Sequence, residues 1–303
     1  MHRIVRWSIR ILCAVFLGVM VLFAAGVIRT RTQLRRVWKV EPAPVPVPGD
    51  ALSIAEGQRL FLARGCGECH GEDAGGKLAV SDRALGQFQA SNLTRGVGGV
   101  GEKYSVVDWV RSIREGVKPD GHGILLMPSE DLNLMSDREV GEVVAFLQTA
   151  APVDRVMPPS HLGPVVYMAY GLAHQFPLIS AEKINHSAPR PPDIVPSVSP
   201  AFGGHLADMQ CRGCHGATLS GGRLPGAPPS LPVPRNITPD PTTGLGRWSQ
   251  DQFVTALRTG KRPDGSAIDP FMPWKTFSHL TDDELTSMWL YLRTVPPKTF
   301  GQR

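Results

Sequence analysis

Two short stretches decide the reading of this chain: Cys66-Gly-Glu-Cys69-His70 and Cys211-Arg-Gly-Cys214-His215. Their histidines stand 145 residues apart, and nearly the same shift recovers much of what surrounds them. Asn92-Leu-Thr94 recurs as Asn236-Ile-Thr238 and residues 105–121 recur as 249–265, both at a shift of 144. Met127-Pro128 recurs as Met272-Pro273, and Ser136-Asp-Arg-Glu139 as Thr281-Asp-Asp-Glu284, both at 145. So many features in one order, with one residue of drift, imply duplication of a single fold.

Each copy spells out its helices. Ser105-x-x-Asp108 is a capping box, after which Val106, Trp109, Val110 and Ile113 form one stripe that stops near Gly116. Ser249 opens the matching helix, filled by Phe253, Val254 and Leu257 and closed at Gly260. The last helices start at Ser136 and Thr281, with stripes at Val140, Val143, Val144, Leu147 and at Leu285, Met288, Trp289, Leu292. Helices are also expected before each cysteine pair, over 53–63 and 202–209. No period-two strand pattern recurs. Apolar residues are 42 % of the 303, aromatics only 7 %, and Gly and Pro number 32 and 28, which suits short elements joined by long ordered loops. The expected class is all-α: two tandem helical domains with long ordered loops, preceded by one transmembrane helix.

Cys-x-x-Cys-His is the attachment signature of c-type haem. Thiols two residues apart on a helical turn reach the two vinyl groups of one porphyrin, and the next histidine is carried under the ring as the axial ligand. Zinc sites made of two such pairs keep about 15–20 residues between them, whereas 141 separate Cys69 from Cys211. A thioredoxin-like pair needs a βαβ context that is missing here, and a plain disulfide leaves the repeated histidine without a reason. Two covalently attached haem c groups are expected, through Cys66 and Cys69 and through Cys211 and Cys214, with His70 and His215 on iron.

On these motifs, the Met-Pro steps and the terminal amphipathic helices, the chain resembles the class I-type bacterial cytochromes c in tandem di-haem, membrane-anchored form. Residues 235–241, 258–265 and 290–293 also look like cytochrome subunits that serve periplasmic dehydrogenases. The likeness covers roughly 51–150 and 199–296. The first copy has the family's Gly57-x-x-x-Phe61, where glycine lets one helix lie against the last; the second has Gly203-Gly204 at a different offset. Met127 and Met272 each lie 57 residues after their histidine and precede proline, which marks them as the second axial ligands, since thioether sulfur is a soft donor to haem iron. Met135 is the other candidate in the first copy, but its counterpart is Leu280. Asn92, Asn236, Arg235 and Arg258 stand as possible propionate partners, and Trp109 as a residue packed on the ring.

The net charge of +5 misleads when read globally. Residues 1–40 carry eight Arg or Lys and no acid, leaving 24 basic against 27 acidic residues elsewhere; a nucleic-acid surface has no support. Residues 11–28 form an uncharged run of 18, about 27 Å as a helix, long enough to span a bilayer core. A cleaved leader is the competing reading, with only a weak small-residue site at Ala24-Ala25-Gly26. Counting flanking positive charge would leave the domains in the cytoplasm; the resemblance implies the periplasmic side of the inner membrane and overrides that count. The expected layout is an anchor with basic flanks (1–40), a Pro-rich stalk (41–50), a first domain (51–152), a connector (153–198) holding His161, His174 and His186 and an apolar stretch (167–179) fit to pack across both domains, and a second domain (199–303). The function read from this is single-electron transfer between a periplasmic donor, a dehydrogenase, and a terminal oxidase or soluble carrier. The alternatives are a di-haem enzyme of the peroxidase or thiosulfate-oxidising type, or a subunit that docks a dehydrogenase on the membrane. No catalytic residue is read from the sequence.

Overall fold

A computed structural model describes residues 2–173, 178–190, 193–225, 227 and 230–303. Helix α1 (His2–Leu34) is followed by α2 (Ala51–Ala63), the attachment turn α3 (Cys66–His70), α4 (Val106–Glu115), the single turn α5 (Ser129–Leu132) and α6 (Asp137–Thr149). The connector adds α7 (Pro164–Gly171), and α8 (Pro200–Gln210), α9 (Arg212–His215), α10 (Gln250–Thr259), α11 (Trp274–Phe277) and α12 (Asp282–Leu292) repeat α2 to α6. Capping boxes close at Ser105–Asp108, Ser136–Glu139, Ser249–Gln252 and Thr281–Glu284, and α4 and α10 both end on a left-handed glycine, Gly116 and Gly260.

The helical class holds, with one addition. A small antiparallel sheet, β1 (Leu78–Asp82), β2 (Gly86–Gln89) and β3 (His161–Leu162), flanks the first domain. The side chains of β1 are almost all exposed, so no alternation marked it. Asp82 Oδ1 accepts from the amides of Ala84 and Leu85 and turns the hairpin.

In each domain the first and last helices pack together: α2 on α6, α8 on α12. A methyl on Gly57 would collide with the carbonyl of Glu142, and a methyl on Gly203 with that of Ser287. Glu142 and Ser287 are 145 apart, so Gly203 makes the contact that Gly57 makes despite its different offset. The offset arises at Gly65, left-handed at φ 82°, which turns the chain between α2 and Cys66, whereas α8 ends directly at Cys211.

The Pro-rich segment is not a spacer. Glu41 pairs with Arg111 at 2.8 Å, Val40 accepts from Arg111, Val45 enters the core of the first domain, and the carbonyl of Pro46 lies on Gly141. Proline fixes the extended shape, but these contacts lay it along α4 and α6. The connector also departs from expectation: Val166, Tyr170, Leu178 and Ile179 pack with Trp38, Phe88 and Val117 on the flank of the first domain, and do not bridge the two. His174 lies outside the described residues. His186 is held by Glu115 and the carbonyl of Ala181, and His161 is an exposed residue of β3.

The two domains meet through reciprocal contacts, as an approximate two-fold requires. Ala63 of α2 is buried in the core of the second domain and its counterpart Met209 of α8 in the core of the first. Thr276 of α11 donates to Glu68 of α3 at 3.2 Å; the matching pair, Gly213 of α9 and Asp131 of α5, also abut.

Candidate haem-binding sites

The loop after each attachment turn follows one course in both domains. Gly71 and Gly216 take φ of 78° and 83°, Ala74 and Leu219 sit left-handed, and the amides of Gly76 and Gly221 return to the carbonyls of His70 and His215. Leu93 then bonds back to Ala74 and Ile237 to Leu219. This places the carbonyl of Ser91 2.8 Å from Nδ1 of His70, and that of Arg235 2.6 Å from Nδ1 of His215. A carbonyl only accepts, so Nδ1 of each ring carries the proton and Nε2 keeps its lone pair. Burial pushes both imidazoles below the ordinary histidine range, and the carbonyl bond only partly opposes it. Both rings are therefore neutral, the form that binds metal.

Asn92 and Asn236 serve this arrangement. Asn92 Oδ1 accepts from the amide and hydroxyl of Thr94 while Nδ2 donates to the carbonyls of Val153 and Arg155. Asn236 does the same with Thr238 and the carbonyl of Lys298. Each asparagine ties the loop to the strand of chain beyond the last helix and so fixes the carbonyl just before it. Arg258 is committed to the carbonyl of Ser278 and to Asp282. The sequence marked these loops through the Asn-x-Thr repeat, but not the backbone acceptors Ser91 and Arg235.

The four motif cysteines form no disulfide. Burial pushes the thiols of Cys66 and Cys211 up to about 12. Cys66 and Met127 border one apolar cluster; Cys211 belongs to the other, which Met272 borders. Pro128 and Pro273, at φ −80°, ψ 54° and φ −77°, ψ 57°, cap the single turns α5 and α11, so the two methionines occupy equivalent places. Met135 and Leu280 are each 1 % exposed and fill the two cores.

These residues fit haem. Trp109 is 2 % exposed and its Nε1–H has no hydrogen-bond partner among the described residues, a buried donor that an anionic edge of the cofactor would satisfy. Phe253 replaces it in the second domain.

Residues 54–151 match the cytochrome c family, and residues 199–292 match subunit III of the cbb3-type cytochrome c oxidases. Both units are cytochrome c domains. Each such domain carries one covalent haem c, two in the chain, and its function is electron transfer. The cytochrome subunit of a Gluconobacter japonicus fructose dehydrogenase is 37 % identical over 105 residues, which is 33 % of this chain and 21 % of that one. The cytochrome c subunit of a quinone-type alcohol dehydrogenase from Gluconacetobacter polyoxogenes is 37 % identical over 95 residues, 30 % of this chain and 20 % of its own. A di-haem cytochrome c of Cereibacter sphaeroides is 34 % identical over 97 residues, 29 % of this chain and 32 % of its own. These matches span about a fifth to a third of the relatives' lengths.

Proposed function

We propose that this di-haem cytochrome c is a membrane-tethered carrier and not itself an enzyme. It takes single electrons from a dehydrogenase on the periplasmic face of the inner membrane and delivers them to a terminal oxidase or soluble carrier. Haem c supplies a reversible one-electron iron couple when bound. In this reading Cys66 and Cys69 hold the first group and Cys211 and Cys214 the second. Nε2 of His70 and of His215, together with the sulfurs of Met127 and Met272, would hold the iron. A sulfur donor in each domain leaves no open position for substrate, which favours a carrier over a peroxidase.

The observation that supports a relay is the interface. Each attachment turn packs on the turn that follows the other domain's methionine, α3 on α11 through Glu68 and Thr276, α9 on α5 through Gly213 and Asp131. Each attachment turn thereby lies against the other domain. The dehydrogenase subunits among the relatives support a dehydrogenase as donor, and residues 11–28 support a bilayer anchor.

Mild detergent extraction of the tagged full chain tests this reading. A dehydrogenase polypeptide should co-purify, and its substrate should reduce both haems without oxygen. Isolation of the chain alone, with peroxide turnover, would overturn it.

A further inference from the structure

Helix α7 lies in the connector, where the sequence marks only an apolar stretch over 167–179. It carries no charged side chain, and from Val156 to Ala181 the sequence holds no Asp, Glu, Lys or Arg. Its faces divide cleanly. Val166 and Tyr170, four apart, are 0 % and 2 % exposed in the cluster on the first domain. Tyr167 and Gly171, also four apart, meet α1: the Tyr167 ring stands edge-on to Phe23 at 6.4 Å, and Gly171 lies against the carbonyl of Gly26. The third face, Val165, Met168 and Ala169 with the C-cap Leu172, runs at i, i+3, i+4, i+7; Val165 is 46 % exposed, the other three are half-buried, and Leu172 touches Gly26 at its edge.

The depth of that contact is set by α1. Gly26 and Phe23 lie two and five residues inside the end of the uncharged run 11–28, which at 1.5 Å per residue is about 3 and about 8 Å below the outer edge of the hydrocarbon. A helix packed side by side with those residues lies at the same depth. Water there is scarce, and a segment without a charged side chain carries no charge into that depth.

We infer that α7 is a second membrane element, a short helix embedded in the outer leaflet whose Val165–Leu172 face takes lipid acyl chains. This rests on the reading of residues 11–28 as an anchor. The helix joins bilayer and first domain on one rigid flank, since its opposite face is part of that domain's packing. The haem domains are then held at the membrane surface in a fixed orientation and do not swing on a tether.

Water-soluble maleimide labelling in proteoliposomes tests it, because a thiol in hydrocarbon does not ionise and so does not react. In a full-length Cys13→Ser background, single variants Leu17→Cys, Val165→Cys and Val198→Cys are compared. Val198 is 50 % exposed, an exposure similar to that of Val165, and lies just before α8 of the second domain. Expected labelling is fast at position 198 and at least about tenfold slower at 17 and 165, with all three equal after denaturation in SDS. Protection at 17 with position 165 as fast as 198 would overturn the embedded helix and leave the anchor intact. Fast labelling at 17 as well would overturn the anchor itself.

Discussion

Glu139 and Glu284, 145 residues apart in the sequence, share one guanidinium: Nη2 of Arg64 lies 2.7 Å from Oε1 of the first and 2.8 Å from Oε1 of the second. Each glutamate also closes the capping box of the last helix in its own domain. The same side chains therefore start α6 and α12 and join the two domains. Arg64 is the C-cap of α2, two residues before Cys66; its side chain is 1 % exposed.

Removing the cation should cost more than removing the whole cluster. Arg64→Met leaves buried Glu139 with no cation beside it and Glu284 with Arg59 as its remaining one, a loss of about 3–5 kcal/mol. The triple variant Arg64→Met, Glu139→Gln, Glu284→Gln removes the charges together and should recover most of it. Calorimetry of the haem-loaded chain reads this as a lowered first transition in the single variant. Equal behaviour of single and triple variants would contradict it.

The contact should also fail in acid. Burial raises both carboxyls, but the Arg64 guanidinium, joined by Arg59 at Glu284 and by the capping hydrogen bonds from Ser136 and Thr281, outweighs it and holds them below the ordinary glutamate range. A carboxyl lowered on folding contributes stability above its unfolded value, about 4.3, and loses it as pH falls through the folded value. Amide exchange at the start of α6 and α12 should stay slow from pH 7 to about 5 and quicken below about 4. In Arg64→Met the onset should move to higher pH. An unchanged onset would show that Arg64 does not set it.

Gly57→Ala and Gly203→Ala should each destabilise their domain by about 1–3 kcal/mol or more, because the added methyl meets a backbone carbonyl that cannot step aside. Gly49→Ala, with open space around it, should be neutral. Thermal melts followed at the Soret band would separate the three.

Much of this was legible in the chain because the signals are local. Capping boxes, left-handed glycines and Met-Pro steps repeat at a fixed shift, and every one of those helices formed. The role of Gly203 was obscured by one residue, Gly65, whose turn shifts the first copy against the second. The segment 41–50 misled because prolines impose the same extended shape whether the chain is free or docked; Val45 and Gly141 decide it, and they are 96 residues apart. Ser91 and Arg235 contribute carbonyls, which no side-chain pattern announces.

Covalent haem should be lost one group at a time. Cys69→Ala or Cys214→Ala should halve the haem retained after acid-acetone extraction, because each domain folds its own attachment turn. Total loss from either single variant would contradict independent sites.

The most direct measurement is the far-red absorption of the oxidised protein before and after cyanide. With Met127 and Met272 on iron, both haems should show the weak sulfur-to-iron band and bind cyanide slowly. Met127→Ala and Met272→Ala should each remove half the band and lower one potential, since a soft donor is lost, while Met135→Leu changes nothing. Rapid cyanide binding to one haem of the unaltered protein, with peroxide-dependent oxidation of a reduced carrier, would contradict the carrier account.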